Sequence, residues 1–352
     1  MDFASDNTAG AAPEILEALA AANGGTAAPY AEDEITARVE RRLADLFERE
    51  VAVFLLTTGS AANGLALATV TPPYGAVLCH EASHIERDEC AGPEFFTGGA
   101  KLMPLPGAAG KLDPETVREA LELTPPGVVH FAQISALSLT QATESGTVYT
   151  PDEVAALSEV AHEYEMAVHV DGARFANAVA HLGCAPADVT WRAGVDVLVF
   201  GATKNGALAA EAVIFFDPAR AEGFAYRRKR AGHLLSKSRF LAAQWDAYLA
   251  DDLWLRLAKR ANEAAHMLAE GLRALPGVRF HWPVEANEVF AELPPGAAQA
   301  LERAGARFHP WAVPGDPAGG RMVRMVTSFA TQQDEVRNLL DILQAHKEKP
   351  VS

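Results

Sequence analysis

Phe200-Gly201-Ala202-Thr203-Lys204-Asn205-Gly206 lies between two apolar runs. Val195 to Phe200 precedes it, interrupted only by Asp196, and Ala209 to Phe216 follows it. Two such runs around a small-residue loop read as buried strands, with a lysine set at a strand end. Upstream, Ala167-Val168-His169-Val170 reads as another strand and ends in Asp171-Gly172-Ala173-Arg174. A lysine and an aspartate on neighbouring strand ends suit pyridoxal 5'-phosphate (PLP): the amine holds the aldehyde and the carboxylate keeps the pyridine nitrogen protonated. Each residue also has a structural reading. Lys204 could reach out to water, and Asp171 could cap its strand against Arg174. Taken together, the two favour the cofactor.

Working outward, the chain alternates strand and helix. Apolar residues at helical spacing make Glu34 to Arg49 an amphipathic helix, and Val51 to Leu56 a buried strand. Thr57-Thr58-Gly59-Ser60-Ala61-Ala62-Asn63 then opens a helix whose unpaired N–H groups could take a phosphate or simply be capped. Further strands are expected at Ala76 to Cys79, Lys101 to Leu105 and Val128 to Ile134. Helices are expected to start at Asp113-Pro114 and at the capping box Thr150-Pro151-Asp152-Glu153. Such alternation predicts an α/β fold with a mostly parallel sheet and ligands at the carboxyl ends of its strands. Ser60, His84, Asp171 and Lys204 all fall at such ends.

After Phe216 the pattern changes to two helices from Ser238 to Ala274, short strands, and a final helix from Gln332 to His346. The expected organisation is an N-terminal arm (1–33), a large cofactor-binding domain (34–238) and a smaller α+β domain (239–352). Tyr226-Arg227-Arg228-Lys229-Arg230 is either a solvated helix face or the source of one anion contact. Arg324 is alone in the apolar strand Met322 to Val326 and needs a carboxylate partner, from a substrate or from the protein.

The 352 residues carry 30 basic and 46 acidic side chains, a net charge of -16 that disfavours nucleic acid and anionic membranes. No apolar stretch reaches membrane-spanning length, and no signal segment is expected at the N-terminus. Cys79, Cys90 and Cys184 form no C-x-x-C pair, so neither a disulfide framework nor a metal site is expected. A reducing cytoplasm is the expected setting.

The order Ser5-Asp6, Thr58-Gly59-Ser60-Ala61-Ala62-Asn63, His84, His169-Val170-Asp171-Gly172-Ala173-Arg174 and Lys204 resembles the low-specificity L-threonine aldolases, PLP enzymes of the aspartate-aminotransferase-like fold (fold type I). Asp88-Glu89-Cys90, Arg227 to His233 and Val326-Thr327-Ser328-Phe329-Ala330 look closest to the phenylserine aldolase branch. The resemblance implies retro-aldol cleavage of β-hydroxy-α-amino acids to glycine and an aldehyde. It implies that Lys204 carries PLP, Asp171 pairs with the ring nitrogen, His84 stacks on the ring and Arg174 supports the 3-oxygen side. Thr58, Gly59 and Ser60 would hold the phosphate, with Lys229 from the same or a neighbouring subunit. Ser5 and Arg324 would hold the substrate carboxylate, and Tyr30 would reach the site of a neighbour in a homotetramer.

Two positions depart from that pattern. Glu144 stands where many relatives place a second histidine, so the base for the hydroxyl is open between His84, Glu144, a water and the cofactor phosphate. Lys237 stands where relatives often have arginine. A β-eliminating lyase or aminotransferase of the same fold is the alternative enzyme, and a non-catalytic PLP-fold sensor the alternative from another class.

Overall fold

The computed structural model describes residues 1–311 and 322–347. Seven strands form the main sheet: β1 (Ala52–Leu56), β2 (Gly75–His80), β3 (Lys101–Leu105), β4 (Gln133–Thr140), β5 (Ala167–Gly172), β6 (Val197–Gly201) and β7 (Glu211–Phe215). Their order is β1-β7-β6-β5-β4-β2-β3, and only β7 runs against its neighbours. The carboxyl ends of the other six, and the first residue of β7, therefore share one edge. β2, β5, β6 and β7 are buried along their whole length, as strands covered on both faces must be.

Helices begin where the sequence supplies caps. Asp113 accepts N–H groups ahead of helix Pro114–Leu123. Thr150 and Glu153 cap each other's turn at helix Pro151–Glu163. One expected strand begins late. Val128 to Phe131 form an exposed turn, with Val129 91% exposed, and the strand starts at Gln133. The cause is local: the Gln133 side chain binds Gly127 N–H and the carbonyls of Val128 and Phe131, tying the turn to itself.

Among the described residues four further strands, β8 (Arg279–Phe280), β9 (Glu288–Glu292), β10 (His309–Pro310) and β11 (Met322–Val326), make an antiparallel sheet in the order β10-β11-β9-β8. It has its own core of Phe3, Leu268, Leu272, Val289, Ala291 and Val323. The two cores meet along helix Leu253–Arg273, because Trp254, Leu257 and Ala258 pack into the large core and Ala265 onward into the small one. Helix Arg239–Leu249, which the sequence reading assigned to the small domain, packs with the large core through Leu241, Trp245 and Tyr248. Phe200 sits amid that packing, edge-on to Phe175 (5.0 Å), Trp245 (5.0 Å) and Trp254 (5.5 Å).

Candidate active site

The loop after β6 is held from three sides. Asn205 donates to Tyr248 Oη (2.7 Å) and to the Trp254 carbonyl (2.8 Å). Ala12 N–H binds the Gly206 carbonyl (2.8 Å), and Gly206 has a φ of 107°, which favours glycine. Thr203 donates to Glu211 Oε1 (2.5 Å) across the turn. Lys204, between these anchors, lines the pocket and enters no hydrogen bond or ion pair among the described residues.

Asp171 closes β5 on the same edge. Its Oδ1 accepts Ala173 N–H (3.0 Å) and its Oδ2 accepts Asn63 Nδ2 (2.9 Å). The Asn63 amide also donates to Glu89 Oε1 (2.9 Å), and that oxygen accepts His84 Nδ1 (2.9 Å). One buried amide thus bridges two carboxylates, and the Glu89 carboxylate fixes the hydrogen of His84 on Nδ1. The bond to Glu89 raises the His84 pKa against the opposing effect of burial, with Asp171 adding to the rise. His169, two residues before Asp171, is wholly buried against Ser138, and desolvation pushes its pKa down to about 4.

Glu144 and Glu211 are the unusual carboxyls. Glu144 Oε1 accepts the His84 N–H (2.7 Å) and the Thr140 hydroxyl (3.0 Å), whereas Oε2 is buried without a partner. Burial, reinforced by Asp171, pushes its pKa up to about 7. Glu211 opens β7 and is 6% exposed; burial pushes it up to about 7 as well, with Thr203 and Lys204 opposing. These groups share one pocket of about 310 Å³ with Thr57, Thr58, Gly59, Ser60 and Arg174. Thr58 leads into helix Gly59–Val70 without a side-chain cap, and the space a Cβ on Gly59 would occupy is clear to 4 Å. The first N–H groups of that helix are open to an anion.

Arg174 lines the pocket but does not pair with Asp171. It binds Asp6 (2.7 and 3.1 Å) and lies 3.4 Å from Glu288. Burial alone would raise the Asp6 carboxyl, but Arg174, Lys204 and the Asn287 amide hold it below the usual range. Ser5 caps the turn that begins at Asp6 by accepting Asn7 N–H, and Asn7 rather than Ser5 reaches the pocket wall. Arg324 lies outside that wall, its guanidinium over the Trp311 ring (5.0 Å) and its Nε without a hydrogen-bond partner among the described residues. Lys229 Nζ stacks on Tyr30 (4.5 Å), and neither lines the pocket.

The structure therefore gathers Thr58, Gly59, Ser60, His84, Glu144, Asp171, Arg174 and Lys204 at one site. It adds Asn7, Thr140 and Glu211, together with Thr57 and Thr203 from the two quoted loop stretches, residues for which no individual role was expected. Glu211 carried a readable signal, a lone carboxylate at the start of an apolar strand, of the same kind that picked out Lys204.

The chain is similar to several known proteins. The beta-eliminating lyase family matches residues 2–294. A low specificity L-threonine aldolase of Pseudomonas aeruginosa is 46% identical, over 96% of this chain and 95% of its own. The threonine aldolase structure from Leishmania major superposes with a TM-score of 0.91 at 28% identity, covering 98% of this chain and 99% of that one. Aspartate aminotransferase from Thermus thermophilus, at 22% identity and a TM-score of 0.69 over 98% of this chain and 91% of its own, shares the fold.

Proposed function

This chain belongs to the beta-eliminating lyase family, among the low specificity L-threonine aldolases, and from that premise we propose how its residues carry out the cleavage. It is a PLP-dependent aldehyde-lyase that converts threonine to glycine and an aldehyde. The observation that carries the reading is the unpaired Lys204 amine and the Asp171 carboxylate on adjacent strand ends of one pocket.

The cofactor fits the residues present. An unpaired amine, an uncapped helix start and a carboxylate already holding one amide donor match its aldehyde, phosphate and ring nitrogen. Bound there, PLP supplies an electron sink for the bond broken at the substrate's α-carbon. Lys204 Nζ would carry it, Asp171 would keep a proton on the ring nitrogen, and the N–H groups at Gly59 and Ser60 would hold the phosphate. His84, with Nδ1 fixed by Glu89, would lie against the cofactor ring. Arg174 supports the 3-oxygen side, itself held by Asp6.

Substrate handling falls to residues around the rim. Arg324 and Ser5 hold the α-carboxylate, which aligns the Cα–Cβ bond for cleavage. Glu144 takes the proton from the β-hydroxyl. Its pKa of about 7 leaves it able both to accept and to return that proton near neutrality. Phenylserine is a substrate alongside threonine and allo-threonine in this reading. Lys229 and Tyr30, packed together outside the pocket, complete the site of a neighbour in a homotetramer. Three free cysteines suit a cytoplasmic setting.

The test is aldehyde release from L-threonine, L-allo-threonine and both L-phenylserine diastereomers, with Lys204→Ala as control. Cleavage of at least one by wild type and of none by the variant is expected. Ammonia with a keto acid would instead mark a β-eliminating lyase. A visible band that responds to glycine without any aldehyde release would mark a sensor.

A further inference from the structure

We propose that Glu211 faces the phosphate of the bound cofactor, donating a hydrogen bond to it when neutral and repelling it when ionised, so that Glu211 sets how tightly the phosphate is held. The inference rests on the cofactor placement under Proposed function, with the phosphate at the start of helix Gly59–Val70.

Strand register locates the carboxyl. Glu211 is the Cα partner of Leu56 on one side and of Gly201 on the other. Leu56 leads directly into Thr57-Thr58-Gly59-Ser60, and Gly201 into Thr203-Lys204. Because β7 alone runs antiparallel, its first residue stands on the edge where the other strands end. The carboxyl lies over Gly201, where a Cβ would sit 3.0 Å from Oε2, and it lines the same pocket as the four residues after Leu56.

Its surroundings favour the neutral acid. It is 6% exposed, and it accepts a hydrogen bond from the Thr203 hydroxyl rather than from a cation. Asp171 faces it from β5 and Lys204 from the loop after β6. β1 and the helix after it offer Thr57, Thr58, Ser60 and Asn63, none titratable, with His233 behind Thr57 (3.2 Å). His84, Glu89, Glu144 and Arg174 are the other titratable groups around the pocket. A buried carboxylate pays a desolvation cost that protonation removes; that cost outweighs the opposing effects of Thr203 and Lys204, and the pKa of about 7 agrees. A phosphate ester loses its second proton at about pH 6. Glu211 would therefore ionise against a dianion already formed.

The experiment titrates apo-protein with PLP and with pyridoxal, which lacks the phosphate, and follows the ratio of the two dissociation constants against pH. Effects on Lys204 or the ring act on both compounds and cancel in the ratio. In wild type the advantage of PLP over pyridoxal is expected to fall about tenfold between roughly pH 6.5 and 8.5. In Glu211→Gln, which keeps a donor but no charge, the fall disappears and PLP binds well throughout. In Glu211→Leu, which has neither, the ratio is also flat but lower. An undiminished fall in both variants, or equal shifts for PLP and pyridoxal, overturns the proposal. Apo-protein that binds neither compound would instead defeat the cofactor reading itself.

Discussion

His84 Nδ1 and Glu89 Oε1 lie 2.9 Å apart, and the same Glu89 oxygen is tied through the Asn63 amide to Asp171. The histidine expected on one face of the cofactor and the carboxylate expected at its ring nitrogen thus belong to one hydrogen-bonded chain. Orientation of the ring and basicity of the imidazole are set by the same bond.

Replacing Glu89 with glutamine should keep the geometry and remove the charge. The His84 pKa then drops, because burial opposes the charged imidazole and less remains to offset it. A pH titration of the His84 ring by NMR in the apo-protein measures this directly. An unmoved pKa would show that the pair with Glu89 is not its cause.

Glu144→Gln tests the proton acceptor. With a pKa of about 7, the carboxylate form of Glu144 accumulates as pH rises through neutrality, so kcat/KM for phenylserine should climb over that range in wild type. In the glutamine variant the climb is lost and the plateau falls about 100-fold. A retained climb would assign it to His84 or to the substrate.

The same residue ties stability to pH. Its folded pKa of about 7 lies above the ordinary 4.5, so the folded protein holds the proton more tightly than the unfolded chain does. That stabilisation is complete below the ordinary value and is lost as pH rises to about 7. His169 acts in the opposite sense, its depressed pKa favouring the fold as pH rises from about 4 toward 6.5. Comparing variants removes His169 from the balance. Denaturant unfolding of Glu144→Gln should gain on wild type by about 1 kcal/mol per pH unit between roughly pH 5 and 7. A constant difference would refute it.

Gly201→Ala should be costly although the substitution is small. The added Cβ would meet Ala173 Cα and its carbonyl oxygen at 2.8 Å, and backbone cannot swing aside as a side chain can. A loss of about 1–3 kcal/mol is expected from overpacking, read by denaturant unfolding of the apo-protein. Unchanged stability would mean that the Ala173 turn yields freely.

Much of this was legible in the sequence because strand ends announce themselves. Apolar runs that stop at Asp171, at the loop of Lys204 and at Thr57 identify an edge, and an α/β alternation makes that edge common. The partners were harder to read. Asp6 meets Arg174 across 168 residues of chain, and Asn63 reaches Glu89 and Asp171 at once; neither spacing follows any local period. The extent of β4 was misjudged because Val128 and Val129 look like strand residues, yet their turn is stabilised by Gln133 and faces water. Helix Arg239–Leu249, placed in the small domain from the sequence, carries apolar residues enough for either core. Only the packing of Trp245 and Tyr248 decides between them.

The anchoring of the N-terminal arm has a consequence for how the chain is made. Phe3 receives the Val326 N–H and gives its own N–H to Arg307, while Asp6 binds Arg174 and Ala12 binds Gly206. During synthesis the arm is thus left waiting for partners far downstream, Arg307 and Val326. The lysine loop is translated before Tyr248 and Trp254, which hold it, and before the strand on which the arm docks. A nascent chain released early would display Lys204 without its moorings. The lysine loop is in this sense finished by residues made after it.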